Sequence, residues 1–209
     1  MLEPQIVTID EIDSIHMIGV GGAGMSGIAK LLAQGRVVAR FNGRMEFGPR
    51  SLGNRSILYH CRDASVNDWL NKRLHRTEFM PFAPSTLADH ADECYVGVEP
   101  SRYTAEFMTI TYDCTDWMKQ HCPAVVHVDG TARPQLVTRE SNPRYYRLID
   151  EYRKLSGIPS VVNTSFNMHE EPIVRSPEDA VRAYLMSRLD YLAIGPFLAW
   201  LEEPTSSDN

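Results

Sequence analysis

Residues 142–167 read NPRYYRLIDEYRKLSGIPSVVNTSFN. Tyr145, Leu148, Ile149 and Tyr152 fall on one face at helical spacing, so Asn142 to Ser156 is an amphipathic helix. Gly157 ends it. Ser160 to Asn163 follows as a short buried strand and runs into Thr164-Ser165-Phe166-Asn167. A helix feeding a buried strand is the unit of α/β architecture. Short polar side chains at the carboxyl end of such a strand stand where open α/β sheets bind ligands. Ser165 and Asn167, with Asn163 beside them, are therefore candidates for contacting phosphate or a metal-bound oxygen. Asn and Ser equally suit a turn that satisfies its own backbone, and both readings stay open here.

The same alternation extends in both directions. Towards the C-terminus, Ser176-Pro177-Glu178-Asp179 is a helix start, with a Ser cap, Pro in the first position and acids in the first turn. That helix runs to about Leu189, and strands follow at Tyr191–Ile194 and Phe197–Leu201; the polar 202–209 is expected to be a disordered tail. Towards the N-terminus, strands are expected at Ala124–Val128, Met108–Asp113, Ile57–Tyr59, Arg36–Phe41 and Ser14–Val20. Helices are expected at Thr115–Gln120, Ser65–Leu74 and Met25–Gln34, and Phe79–Pro84 is a proline-pinned extended segment. The fold class is α/β (α+β), a mixed twisted sheet with flanking helices. Residues 1–34 read as an N-terminal strand, glycine loop and helix appended to a body at 35–201, with a seam near Gln34–Arg36.

A chain of 209 residues can bury roughly 70% of its unfolded surface and folds without disulfides. The formal net charge of -6 argues against a nucleic-acid backbone as main partner. It leaves room for small anions, because arginines can cluster on an acidic protein. Cys61, Cys94, Cys114 and Cys122 show no zinc spacing and read as buried thiols of a reducing cytoplasm. No basic leader and no apolar run near the ~20 residues of a membrane span is present, so the expectation is a soluble cytoplasmic protein.

Cationic residues gather in two places. Residues 42–56 hold Arg44, Arg50 and Arg55 among three glycines. Guanidinium forks suit phosphate, and glycines let backbone amides approach a ligand. A solvated loop with ion pairs to Glu46 would use the same composition. Lys72, Arg73 and Arg76 close a helix beside a rigid apolar segment, where they could also balance the helix dipole. His127 and Asp129 share one face of the expected strand, a weak metal pattern, and Arg133 is a further phosphate candidate. Gly19-Val20-Gly21-Gly22-Ala23-Gly24 lies between a strand and a helix, a context that favours phosphate.

Four blocks carry a family resemblance: GRMEFGPRSLGNRSIL at 43–58, RTEFMPFAPSTL at 76–87, VVHVDGTARPQLV at 125–137 and GIPSVVNTSFNMHEEPIVRSPEDA at 157–180. In order and spacing they resemble the C-terminal domain of carbamoyltransferases, which include a nodulation protein of rhizobia and antibiotic-tailoring enzymes. The resemblance implies a fold similar to threonylcarbamoyl-adenylate synthase. It implies ATP and carbamoyl phosphate as ligands, Mg²⁺ as helper, a carbamoyl-adenylate product and transfer to a sugar or antibiotic hydroxyl. By motif, Lys72, Arg73 and Arg76 would grip phosphates. Arg44, Arg50 and Arg55 would line the same pocket, and Asn163, Ser165 and Asn167 would hold nucleotide or carbamoyl phosphate. The acceptor and an iron site would belong to a separate N-terminal domain that this chain lacks. Complete transfer would then need that partner, and homodimerisation through the uncovered face is the matching expectation. Separately, IHMIGVGGAGMSGIAKLL at 15–32 is similar to the opening of the Mur ligase that joins alanine to UDP-N-acetylmuramate, which implies UDP-sugar binding as the alternative.

Overall fold

A computed structural model describes residues 15–19, 24–76 and 81–201. Its main sheet is built from β1 (Ile15–Gly19), β2 (Val38–Phe41), β3 (Arg55–His60), β4 (Ala83–Leu87), β7 (Gln135–Val137), β8 (Ser160–Ser165), β9 (Tyr191–Ile194) and β10 (Phe197–Leu201). The order across it is β1-β10-β9-β2-β3-β8-β4-β7. Two pairs, β2 with β9 and β4 with β7, are parallel, and the rest are antiparallel. The expected mixed α/β sheet is therefore observed. A separate two-stranded ribbon joins β5 (Tyr112–Asp113) to β6 (Thr131–Ala132).

The helices are α1 (Gly24–Ala33), α2 (Val66–Arg73), α3 (Ala91–Cys94), α4 (Asp116–His121), α5 (Pro143–Ser156) and α6 (Pro177–Ser187). Asn142 caps α5 by accepting from the Tyr145 amide, and Gly157 leaves it at φ +78°, a left-handed conformation cheap only for glycine. Tyr145, Leu148, Ile149 and Tyr152 are all buried, as their spacing requires. Helix α1 lies along α5 and contributes Ile28, Ala29 and Leu32 to the same core. Among the described residues, no helix is long and apolar enough to cross a membrane.

One expected strand does not form and another is cut to two residues. Residues 124–128 carry a strand's composition, yet Pro123–Val125 is a 3-10 turn and His127 to Gly130 closes as a tight turn. Pro123 brings no amide, and the Ala124 and Val125 amides go to the Cys61 and Cys122 carbonyls instead of a neighbouring strand. Within Met108–Asp113 only Tyr112 and Asp113 are extended, because Thr104–Phe107 coils as 3-10 helix and Met108 takes a left-handed φ of 54°. Strand β7 and helix α3 were not anticipated. Residues 20–23 of the glycine loop, 77–80 and the tail 202–209 lie outside the described residues.

Candidate functional site

Strand register brings distant segments to one end of the sheet. Phe41 pairs with Arg55, Ser56 with Ser165, Ala83 with Asn163 and Ser85 with Gln135. The end of β2, the starts of β3, β4 and β7, and the end of β8 therefore meet there. The arginine loop, the residues after α2 and the approach to β7 all empty onto this end.

Arg76, half-buried, sits against the end of β8. Its Nη1 donates to Thr164 Oγ1 at 3.0 Å, and its Nη2 donates to Ser165 O and Oγ at 3.3 Å. Burial lowers its pKa to about 10, so it remains a cation at neutral pH. Among the described residues it has no ion pair. A largely buried guanidinium without a carboxylate is costly unless an anion arrives. Ser165 Oγ also donates to Asn167 Oδ1 at 2.6 Å, and Asn167 Nδ2 ties down the carbonyls of Met168 and Glu171. Arg76, Ser165 and Asn167 thus form one contiguous group.

The other predicted residues divide by what they touch. Arg50 and Arg133 meet in a cavity of about 320 Å³, lined also by Phe47, Pro49, Phe107 and Met108. The two guanidiniums repel, and burial with that repulsion lowers the Arg133 pKa; Arg133 Nη1 donates to Met108 O at 3.2 Å. Arg44 is exposed on the loop. Arg55 is buried, lies 3.5 Å over the Phe41 ring and donates to the carbonyls of Asn42, Gly43 and Asn54. Its guanidinium holds the loop together and does not face the cavity. Asn163 is also buried, with Nδ2 donating to Ser51 O at 3.0 Å and Ser85 Oγ at 2.9 Å. Of the basic cluster, Lys72 is exposed, while Arg73 stacks on Trp69 and pairs with Asp190 at 3.3 Å. Neither joins the contacts Arg76 makes with the end of β8.

His127 and Asp129 share a face through a turn, not a strand. His127 Nδ1 and Asp129 Oδ1 both contact the Thr131 hydroxyl, at 3.0 and 2.7 Å. Among the described residues, no three His, Cys, Asp or Glu side chains gather to hold a metal ion. A second cavity of about 460 Å³ lies between Asn67, Phe82 and the apolar 124–128 segment.

Sequence reasoning passed over two residues that shape this end. Arg40 on β2 is buried beneath the loop and donates to Gly53 O and Asn54 Oδ1. Glu46 accepts from the amides of Leu52, Asn54 and Arg55. A lone acid among three arginines was visible, but its partners, being backbone amides, were not.

The fold is a mixed α/β sheet, and one end of it carries several arginines near the polar terminus of β8. The family model described as carbamoyltransferase C-terminus matches residues 29–200, and the chain belongs to that family. It is 41% identical over 174 residues to the nodulation protein NolO of Bradyrhizobium diazoefficiens, covering 83% of this chain and 32% of NolO. The chain thus spans about a third of that relative's length. Among solved structures, T. kodakarensis HypF superposes with a TM-score of 0.56 at 18% identity, covering 89% of this chain and 22% of HypF. P. abyssi Sua5 superposes with a TM-score of 0.54 at 11% identity, covering 81% and 48%. These two share the fold.

Proposed function

We propose that this domain binds ATP and carbamoyl phosphate and forms a carbamoyl-adenylate, which serves O-carbamoylation of a sugar or antibiotic hydroxyl. The observation that carries the reading is Arg76, largely buried against Thr164 and Ser165 with no carboxylate partner among the described residues. Family membership supports carbamoyl chemistry. In the proposed step, water first cleaves carbamoyl phosphate to carbamate and inorganic phosphate; a carbamate oxygen then attacks the α-phosphorus of ATP, forming the carbamoyl-adenylate as pyrophosphate leaves. Negative charge grows on the equatorial and leaving oxygens, and fixed cations stabilise it without reorganising. Arg76 meets that charge from the strand end, while Arg44, Arg50 and Arg133 meet the phosphates from the loop side. Ser165 and Asn167 orient the nucleotide. The chain offers no carboxylate cage for Mg²⁺ among its described residues, so Mg²⁺ would come in on the phosphate oxygens. Acceptor binding and transfer, with any iron site, fall to an N-terminal partner domain in this reading.

The test is carbamoyl-phosphate-dependent exchange of labelled pyrophosphate into ATP, with an Arg76→Ala control. Exchange by the wild-type chain that the variant loses by about a hundredfold or more is the expected result. A folded wild-type chain that catalyses no exchange would overturn adenylate formation by this domain.

A further inference from the structure

The loop from Gly43 to Asn54 contains no helix or strand to stiffen it, yet it carries Arg44 and Arg50. A loop that must present cations at fixed positions needs an internal anchor, since each free side chain and peptide loses entropy on ordering. Glu46 supplies one. Its Oε1 accepts from the amides of Leu52 at 2.8 Å, Asn54 at 2.6 Å and Arg55 at 3.1 Å. The intervening Gly53 amide donates to Ser56 Oγ at 3.0 Å. Three amides thus converge on one carboxylate oxygen, as the amides of a nest converge on a bound anion. Here the loop's own carboxylate takes the anion's place.

The carboxylate also faces cations. Arg40 and Arg55 both feel its negative charge, which opposes the lowering of their pKa by burial. Those two guanidiniums are buried and donate to loop carbonyls through Arg40 Nη1 and both Arg55 Nη atoms, while Arg40 Nε and Nη2 and Arg55 Nε make no hydrogen bond among the described residues. Arg44 and Arg50 make no ion pair with Glu46 or with any other described residue. One acid therefore balances the two inner arginines and the nest, and leaves the two outer arginines uncompensated.

We propose that Glu46 is a positioning residue: by filling the amide nest of residues 52–55 it holds the loop so that Arg44 and Arg50 present their charge to a polyphosphate. The inference rests on the proposed nucleotide site. It excludes the simpler role of Glu46 as a partner that neutralises Arg44 or Arg50. Removing it should weaken phosphate binding, whereas removing a neutralising partner should strengthen it.

The experiment measures ATP affinity by calorimetry on the full chain, with amide hydrogen exchange at Leu52, Asn54 and Arg55. The variants are Glu46→Ala, Glu46→Asp and Glu46→Gln. Glu46→Ala is expected to weaken ATP binding about tenfold or more, comparable to losing one charged hydrogen bond to phosphate, and to lose protection at the three amides. Glu46→Gln retains an acceptor oxygen and should recover most of both signals. Glu46→Asp, one methylene shorter, should recover less. Should Glu46→Ala not fold, the ordering of the Gln and Asp variants decides the matter. Wild-type binding of ATP with unchanged or tighter affinity in the variants would overturn the positioning role and leave the nucleotide site standing. Protected wild-type amides in a chain that binds no ATP would overturn the nucleotide site, and with it the purpose assigned to the anchor.

Discussion

Gly53 sits where the arginine loop crosses α5. Its φ is +107°, and an added Cβ would stand 2.3 Å from Tyr145 Cδ1, on a ring that is fully buried. Neither the backbone nor the neighbour can yield cheaply. Gly53→Ala should therefore destabilise the fold by about 2–3 kcal/mol or more, combining a strained φ with overpacking; the urea midpoint would report it. Arg76 poses a question of charge instead. Burial holds its pKa at about 10, below the ordinary guanidinium value. Because the folded value is the lower one, its desolvation cost is fully present below pH 10 and fades as pH rises towards the unfolded value. A bound anion needs the charged form. The Arg76 contribution to ATP affinity should thus be flat between pH 6 and 9 and fall as pH passes about 10, measured by titration at fixed ionic strength. A fall centred well below pH 9 would assign the dependence to another group.

At the scale of elements, local signals and long-range contacts divide unevenly. Helix α6 opens with a capping box: the Ser176 hydroxyl accepts from the Asp179 amide at 3.2 Å, and Asp179 Oδ2 accepts from the Ser176 amide at 3.0 Å. Ser176→Ala should cost about 1 kcal/mol in thermal or urea unfolding, with ligand binding unchanged. The cap of α5 has a second duty. Asn142 accepts from the Tyr145 amide at 3.2 Å, and its Nδ2 donates to Asn54 Oδ1 at 3.1 Å. Asn142→Ala should cost a similar amount and also loosen the arginine loop, visible as faster exchange of the Asn54 amide. These helix ends were legible because a cap is decided within four residues. Ala124–Val128 was misread because strand formation depends on a partner edge that no local pattern supplies. The amides at its start bond to Cys61 and Cys122, and the valines line a cavity.

Across the whole molecule, β1 pairs with β10 and α1 packs on α5, so residues 15–19 and 24–33 build the same sheet and core as the rest. The candidate anion site lies at the end of that sheet, and its cations come from separate stretches of chain. Ligand binding should therefore be felt globally. ATP at a hundred times its Kd should add about 2.7 kcal/mol of stability, raising the melting temperature, and the gain should shrink with added salt as the exposed Arg44 and Arg50 are screened. A melting temperature indifferent to ATP would contradict binding to the folded chain.

What the sequence by itself determined were the features encoded at short range or in long motifs. The amphipathic face of α5, its glycine exit, the Ser176 helix start, the buried strand beginning at Ser160 and the family membership were all readable from consecutive residues. The clustering of arginines was readable too, but not their division of labour. Arg55 and Arg76 have the same side chain, and both were read as phosphate contacts. Only the tertiary structure turns one onto the carbonyls of its own loop and sets the other, without a counter-charge, against the end of β8. That distinction follows from strand register and burial, which decide whether a guanidinium donates to the carbonyls of its own loop or lies against the end of a distant strand.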